Sequence, residues 1–398
     1  MAPQPHIRLW EDITPLPKPL WEPTLPRVLV IGGGVSGLVT SWVLLDAGYP
    51  VTILASEYAI FTGSRRLTSQ IAGALWEYPP AVCGAHTDPI SLQSSKRWCM
   101  ESYHCYSALA AFDSAATGVS MKTSIACFPH PIAEDPVQVA KVAEMTATDI
   151  QDFRRDNGAL QNVGVNMDFP IHECYSHLAP VIDTDRAMAW LASLVKSKGA
   201  TMLIGTISGD LIQQEKALLT RFSAAAIVNA SGLGSRGLGT GSTCYPLRGA
   251  LLRVRNDGTD FPKLTAALSI SADSSEDNEI VFLVPRGEDT LLLGGLAQPN
   301  EASLDLTLDS PVIKRMRERC EKFLPVLKKA KLVEGYPLAQ GLRPFRKGNV
   351  RVARQSRTVH NYGHGGSGWS LAFGCALDVK SLIGEVVGIE GERVMSKL

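Results

Sequence analysis

The hydrophobic pattern first becomes regular at Arg27-Val28-Leu29-Val30-Ile31, a short β-branched run closed by Pro26 and Gly32. A continuous apolar run of this length between turn formers predicts a buried parallel strand. From Leu38 to Ala47 the apolar spacing becomes that of a helix, which Gly48 stops, and Val51-Thr52-Ile53-Leu54 repeats the strand pattern. The first turn of this strand–helix–strand unit reads Gly32-Gly33-Gly34-Val35-Ser36-Gly37. There Gly32 permits the tight bend, Gly34 lets a pyrophosphate approach the backbone, Gly37 lets helix and strand pack closely, and the helix amino terminus faces the anion. A lone G-x-G-x-x-G is a weak signal, but one set between two such strands is a dinucleotide fingerprint.

The unit alone leaves NAD and FAD open. Far down the chain, Ala224 to Asn229 forms another buried apolar run that enters the turn Ala230-Ser231-Gly232-Leu233-Gly234. A late strand of this kind returns the chain to its nucleotide domain, which makes that domain discontinuous and favours FAD. Between and beyond these segments, Val281 to Pro285 and Leu291 to Gly295 predict strands of a mostly antiparallel region, and Lys314 to Leu324 predicts a helix. The expected fold class is mixed α/β: a discontinuous Rossmann-type FAD-binding domain with an antiparallel-sheet substrate domain. The expected boundaries are 27–78, 180–245 and 335–395 for the first, and 79–179 and 246–334 for the second.

Composition narrows the partners. The chain has 398 residues, 45% of them hydrophobic, with Lys+Arg and Asp+Glu equal at 39, so no net field points to nucleic acid or an anionic membrane surface. A small-molecule substrate is the default expectation. The eight cysteines include no C-x-x-C pair and no zinc-like spacing, so neither a metal site nor a disulfide framework is expected. They read as reduced, mostly buried thiols. No apolar run reaches the roughly 18 residues that span a bilayer. Residues 1–26 carry seven prolines, which excludes a regular element there. The terminal Ser396-Lys397-Leu398 matches the tripeptide read by the peroxisomal import receptor, so a peroxisomal location is expected, and a cytoplasmic one otherwise.

Toward the carboxy terminus the run Val359-His360-Asn361-Tyr362-Gly363-His364-Gly365-Gly366-Ser367-Gly368-Trp369-Ser370 stands out, followed by Phe373-Gly374-Cys375-Ala376. Upstream lie Gly341-Leu342-Arg343-Pro344-Phe345-Arg346 and, near the amino terminus, Ala72-Gly73-Ala74-Leu75-Trp76. With the glycine fingerprint and the late strand, these blocks resemble the D-amino acid oxidase family, in the family's order, across residues 27 to 385. The resemblance implies a non-covalently held FAD and an oxidase that converts an amino acid, D-configured by preference, to an imine. Electrons pass to molecular oxygen, peroxide is released, and water hydrolyses the imine to a 2-oxo acid.

The same resemblance distributes the expected roles. FAD would be held by Gly32, Gly34, Val35, Ser36 and Gly37, by Thr68 and Ser69 at the pyrophosphate, and at the ribose by Ser56 and Glu57, where the family carries Asp and Glu57 stands one position displaced. Gly73, Ala74, Leu75, Ile207, Ser231, Gly232, Gly365, Gly368, Trp369 and Ser370 complete that set. Arg343 would clamp the substrate carboxylate bidentately, and the Gly366 carbonyl would lie near the substrate amine. His360 and His364 invite a catalytic-base reading, but in this chemistry the α-hydrogen can leave as hydride, so a structural role is expected. Arg346 fits a surface salt bridge.

Two departures bear on the substrate. Phe282 stands where the family carries an active-site Tyr, which removes a carboxylate-partner hydroxyl. Glu77 follows Trp76 where a neutral residue is usual, and it can engage a cationic or extended substrate or simply be solvated. The alternative reading is therefore an FAD-dependent oxidase or dehydrogenase of a modified amine or biosynthetic intermediate on the same scaffold.

Overall fold

The computed structural model describes residues 25–63, 66–80, 88–155, 157–160, 163–239, 243–270 and 280–395. Most of the proline-rich arm and the Ser396-Lys397-Leu398 tripeptide lie outside the described residues.

Two sheets organise the chain. The first has six strands in the order Arg351–Gln355, Thr358–Tyr362, Ala226–Asn229, Val28–Ile31, Val51–Ala55 and Thr201–Ile204. All neighbours are parallel except the first pair, which is antiparallel. The strand Val28–Ile31 is central and fully buried, as its unbroken apolar run requires. The late strand Ala226–Asn229 pairs beside it with Val30 opposite Val228, so the chain does return to the first sheet from almost two hundred residues away. The helix Val35–Asp46 begins directly after the glycine turn and packs against the terminal helix Ala372–Met395. Trp42, Val43, Phe373, Ala376 and Val379 share one apolar core there.

The second sheet runs Gln298–Pro299, Cys244–Arg255, Thr290–Gly294, Val281–Arg286, Ala267–Ile270, Val119–Phe128 and Glu173–Ile182, with Leu338–Arg346 also paired to Cys244–Arg255. Its pairs are antiparallel except Val119–Phe128 with Ala267–Ile270. Leu252, Leu268, Leu283 and Leu293 face the helix Pro311–Phe323, whose Ile313, Met316, Cys320 and Phe323 recur on one helical face. That helix begins three residues before the predicted Lys314, because Pro311 suits a first turn that needs no backbone donor.

Two groupings differ from those expected from sequence. The strand Leu338–Arg346, grouped there with the nucleotide segment 335–395, belongs to the second sheet. The long helix Pro89–Thr117, placed in the substrate region, buries Cys105, Tyr106 and Leu109 in the core of the first sheet's helical layer. Local pattern reveals that an element has an apolar face, but not which sheet receives it. The seven described cysteines are buried free thiols. Among the described residues no helix is long and apolar enough to cross a membrane.

Candidate active site

The glycine turn shows why each small residue is needed. Gly32 sits at φ +125°, a backbone state that side chains rarely tolerate, and a Cβ there would strike the Ala230 carbonyl of the neighbouring late turn. A Cβ on Gly37 would strike the Gly32 carbonyl, so this glycine brings helix and strand together. Gly34 differs: a Cβ there would have only Ser69 Oγ nearby, at 3.1 Å, and its bare face lines a cavity. At the start of the helix the Val35 N–H donates to Ser69 Oγ at 3.0 Å, and the Trp369 indole donates to the Ser69 carbonyl at 2.9 Å. Thr68 Oγ1 donates to the Leu342 carbonyl at 3.1 Å. The fingerprint, the Thr68-Ser69 segment and the carboxy-terminal block are thus tied into one structure.

The cavity measures about 540 Å³. The residues following the parallel strands Val28–Ile31, Val51–Ala55, Thr201–Ile204 and Ala226–Asn229 open into it, the usual ligand position for a sheet of this kind. From there it extends to the second sheet, where Phe282 and Arg343 form the wall. It brings together Gly32, Gly34, Val35, Ser36, Ser56, Glu57, Thr68, Ser69, Gly73, Ala74, Leu75, Glu77 and Ile207, with Ser231, Gly232, Phe282, Arg343, Gly365, Gly366, Gly368, Trp369 and Ser370. Gly37 is absent from the wall, in keeping with its packing role.

Arg343 carries the strongest electrostatic feature. Its guanidinium donates once, from Nη1 to the Leu296 carbonyl at 2.9 Å, and has no carboxylate partner among the described residues. Burial alone pulls its pKa down to about 10, so it stays charged at neutral pH. The group lies flat on Gly249, where a Cβ would come within 2.5 Å of Cζ and 2.6 Å of Nη2. A largely buried cation with donors to spare and a cavity in front of it has the chemistry to take an anionic group.

Phe282 places its ring against Gly73, where a Cβ would lie 2.5 Å from Cζ, so the missing hydroxyl leaves an apolar wall. Glu77 is not merely solvated: its carboxylate pairs with the nearly buried Lys141 at 3.6 Å. His360 is held between Gln355 Oε1 at 3.1 Å and Asn229 Nδ2 at 3.4 Å, away from the cavity. His364 does line the cavity, with its Nε2 buried and unpartnered among the described residues. Burial lowers both rings to about 4, so both are neutral, and a ring so reluctant to take a proton is a poor base. Arg346 departs from the expected surface salt bridge. It donates to the Asn349 carbonyl at 2.6 Å and packs under Gly363.

The chain matches the FAD dependent oxidoreductase family over residues 27–382. It belongs to that family. A D-amino-acid oxidase of Streptomyces coelicolor is 29% identical over 361 residues, covering 89% of this chain and 96% of that protein. One from Fusarium vanettenii is 25% identical over 397 residues, covering 93% and 99%. Among solved structures, glycine oxidase from Bacillus cereus superposes with a TM-score of 0.67 at 18% identity, covering 90% of this chain and 95% of that one. An L-alpha-glycerophosphate oxidase from Mycoplasma pneumoniae with FAD bound gives 0.66 at 15%, covering 90% and 94%. At these identities the structures establish the shared fold.

In an FAD dependent oxidoreductase the cavity has to take a dinucleotide, and its walls fit one. Gly34 puts no side chain between the helix amino terminus and the cavity, Glu57 lines the wall just after the second strand, and the glycine-rich 365–368 segment exposes backbone to it. Sequence reading missed Gly249, the floor under Arg343, because only the pairing of Leu338–Arg346 with Cys244–Arg255 brings it there. It also passed over Asn361 within the quoted motif. That side chain donates to Thr40 Oγ1 at 3.0 Å, lines the cavity, and has a buried Oδ1 with no partner among the described residues.

Proposed function

We propose that this protein is an FAD-dependent oxidase that oxidatively deaminates an amino acid, with D-amino acids favoured. Arg343 carries the reading: an α-carboxylate is the anion that its unused donors would take, and holding it there fixes the α-carbon against the wall formed by Gly73, Ala74 and Gly365 to Gly368. A flavin held along this wall would supply the hydride acceptor for the α-hydrogen. The chain's own residues bind and orient: Arg343 grips the carboxylate, the Gly366 carbonyl accepts from the amine, and Phe282 and Leu251 exclude water. Neutral His364 and His360 leave substrate orientation, rather than a base, as the protein's contribution. The balance is amino acid, oxygen and water giving 2-oxo acid, ammonium and peroxide. Relatives named D-amino-acid oxidase along nearly the whole chain support this substrate class.

Phe282 favours a second reading, an oxidase or dehydrogenase of a modified amine, because it withholds the hydroxyl that would share the carboxylate. Peroxide release across a panel of D- and L-amino acids tests the first reading. Silence there, combined with anaerobic bleaching of the flavin by N-substituted amines, would favour the second. A peroxisomal address rests on Ser396-Lys397-Leu398 alone and is tested by imaging the tagged chain with and without those residues.

A further inference from the structure

Arg286 closes the strand Val281–Arg286 that carries Phe282, is 7% exposed, and is not on the cavity wall. Its Nη2 donates to two consecutive carbonyls of the wall, Ala72 at 2.9 Å and Gly73 at 2.7 Å. Its Nη1 donates to Thr184 Oγ1 at 2.7 Å, and that hydroxyl donates in turn to the Gln70 carbonyl at 2.5 Å. One buried guanidinium therefore holds the segment 70–73 at two carbonyls directly and at a third, Gln70, through Thr184. The same strand presses the Phe282 ring against Gly73.

The peptide plane makes this grip directional. In a trans peptide the N–H points opposite the preceding C=O. With the Ala72 and Gly73 carbonyls drawn to Arg286, the N–H groups of Gly73 and Ala74 are turned away from it. Both residues line the cavity, and neither N–H has a hydrogen-bond partner among the described residues. Ala74 itself is held at φ +49°, and its carbonyl is anchored by the Ile182 N–H at 3.0 Å.

We infer that Arg286 is a positioning residue that turns the Gly73 and Ala74 N–H donors into the cavity, where they meet acceptor atoms of the bound flavin. The guanidinium keeps its charge at this depth: burial lowers its pKa only to about 10, with Asp183 and Asp185 opposing the drop. Three acceptors in three directions call for a planar fork, which lysine cannot supply. The inference rests on family membership and not on the amino acid substrate, and FAD titration of the apoprotein needs no substrate. It therefore speaks even if no amino acid is turned over.

The test compares Arg286→Lys, Arg286→Met and Arg286→Ala with the parent, following far-UV circular dichroism, FAD affinity and the visible spectrum of the bound flavin. Folded variants should bind FAD on the order of tenfold more weakly, with shifted flavin bands. Where turnover is measurable, kcat should fall more than KM rises. Millimolar guanidinium should restore part of the affinity to Arg286→Ala and none to Arg286→Met, whose side chain fills the space. Folded Arg286→Met with parental affinity and spectrum would overturn the inference. So would loss of fold in all three variants, which would make Arg286 a structural residue only.

Discussion

If Arg343 binds the substrate carboxylate, its removal has a calculable consequence. The guanidinium uses one of its donors on the Leu296 carbonyl and lies flat on Gly249, leaving its fork for a two-point contact in a desolvated setting. A charge-assisted bidentate contact of this kind is worth about 3–5 kcal/mol. At about 1.4 kcal/mol per decade, Arg343→Ala should lower kcat/KM on the order of a thousandfold. Flavin content, read from the visible absorbance against protein, should stay at the parental level. Arg343→Lys keeps the charge without the fork and should fall between parent and alanine. Gly249→Ala supplies an independent check: the new methyl would displace the guanidinium without touching its charge, so it too should raise KM for the best substrate. Unchanged kinetics in Arg343→Ala, with the flavin retained, would refute the clamp and move the reading toward an amine without a free carboxylate.

The two glycines of the fingerprint should separate. Gly37→Ala, with its Cβ against the Gly32 carbonyl, should yield little folded protein, while Gly34→Ala should fold but bind FAD weakly; a fully yellow Gly34→Ala protein would contradict the placement of the anion. Phe282→Tyr should raise turnover of small neutral D-amino acids if the chain is a D-amino acid oxidase lacking one hydroxyl, and loss of turnover would favour the modified-amine reading. Stability should depend on pH through His177, His360 and His364, each lowered by burial from 6.5 to about 4. Between those values the unfolded chain binds protons that the folded chain refuses, so stability is complete above pH 6.5 and declines as pH falls, by roughly 1–2 kcal/mol per ring at pH 5. Denaturant midpoints that do not move between pH 7 and pH 5 would rule this out.

Much of the nucleotide half was legible because its signals are local. An unbroken β-branched run, a glycine turn and a second such run fix a strand–helix–strand unit whatever surrounds it, and the observed Val28–Ile31, Val35–Asp46 and Val51–Ala55 follow the reading within a few residues. Long elements without contrast were not legible. The helix Ala372–Met395 is hidden by the glycines within it, and Pro89–Thr117 mixes serines and aromatics without a clean stripe. Arg343 could be named from its motif, but the lack of a carboxylate partner for it among the described residues could not, since that depends on what stands opposite in space.

The sequence by itself therefore determined the glycine turn, the return of the Ala226–Asn229 strand and the chemical type of the cavity-lining residues, all properties carried by short stretches of chain. Tertiary structure alone decided that Gly249 lies under Arg343, that Lys141 balances Glu77, and that Arg286 reaches back to the carbonyls of Ala72 and Gly73. Each of these joins residues from tens to about two hundred positions apart. Strand register and burial, which no local pattern encodes, bring them within hydrogen-bonding or van der Waals range.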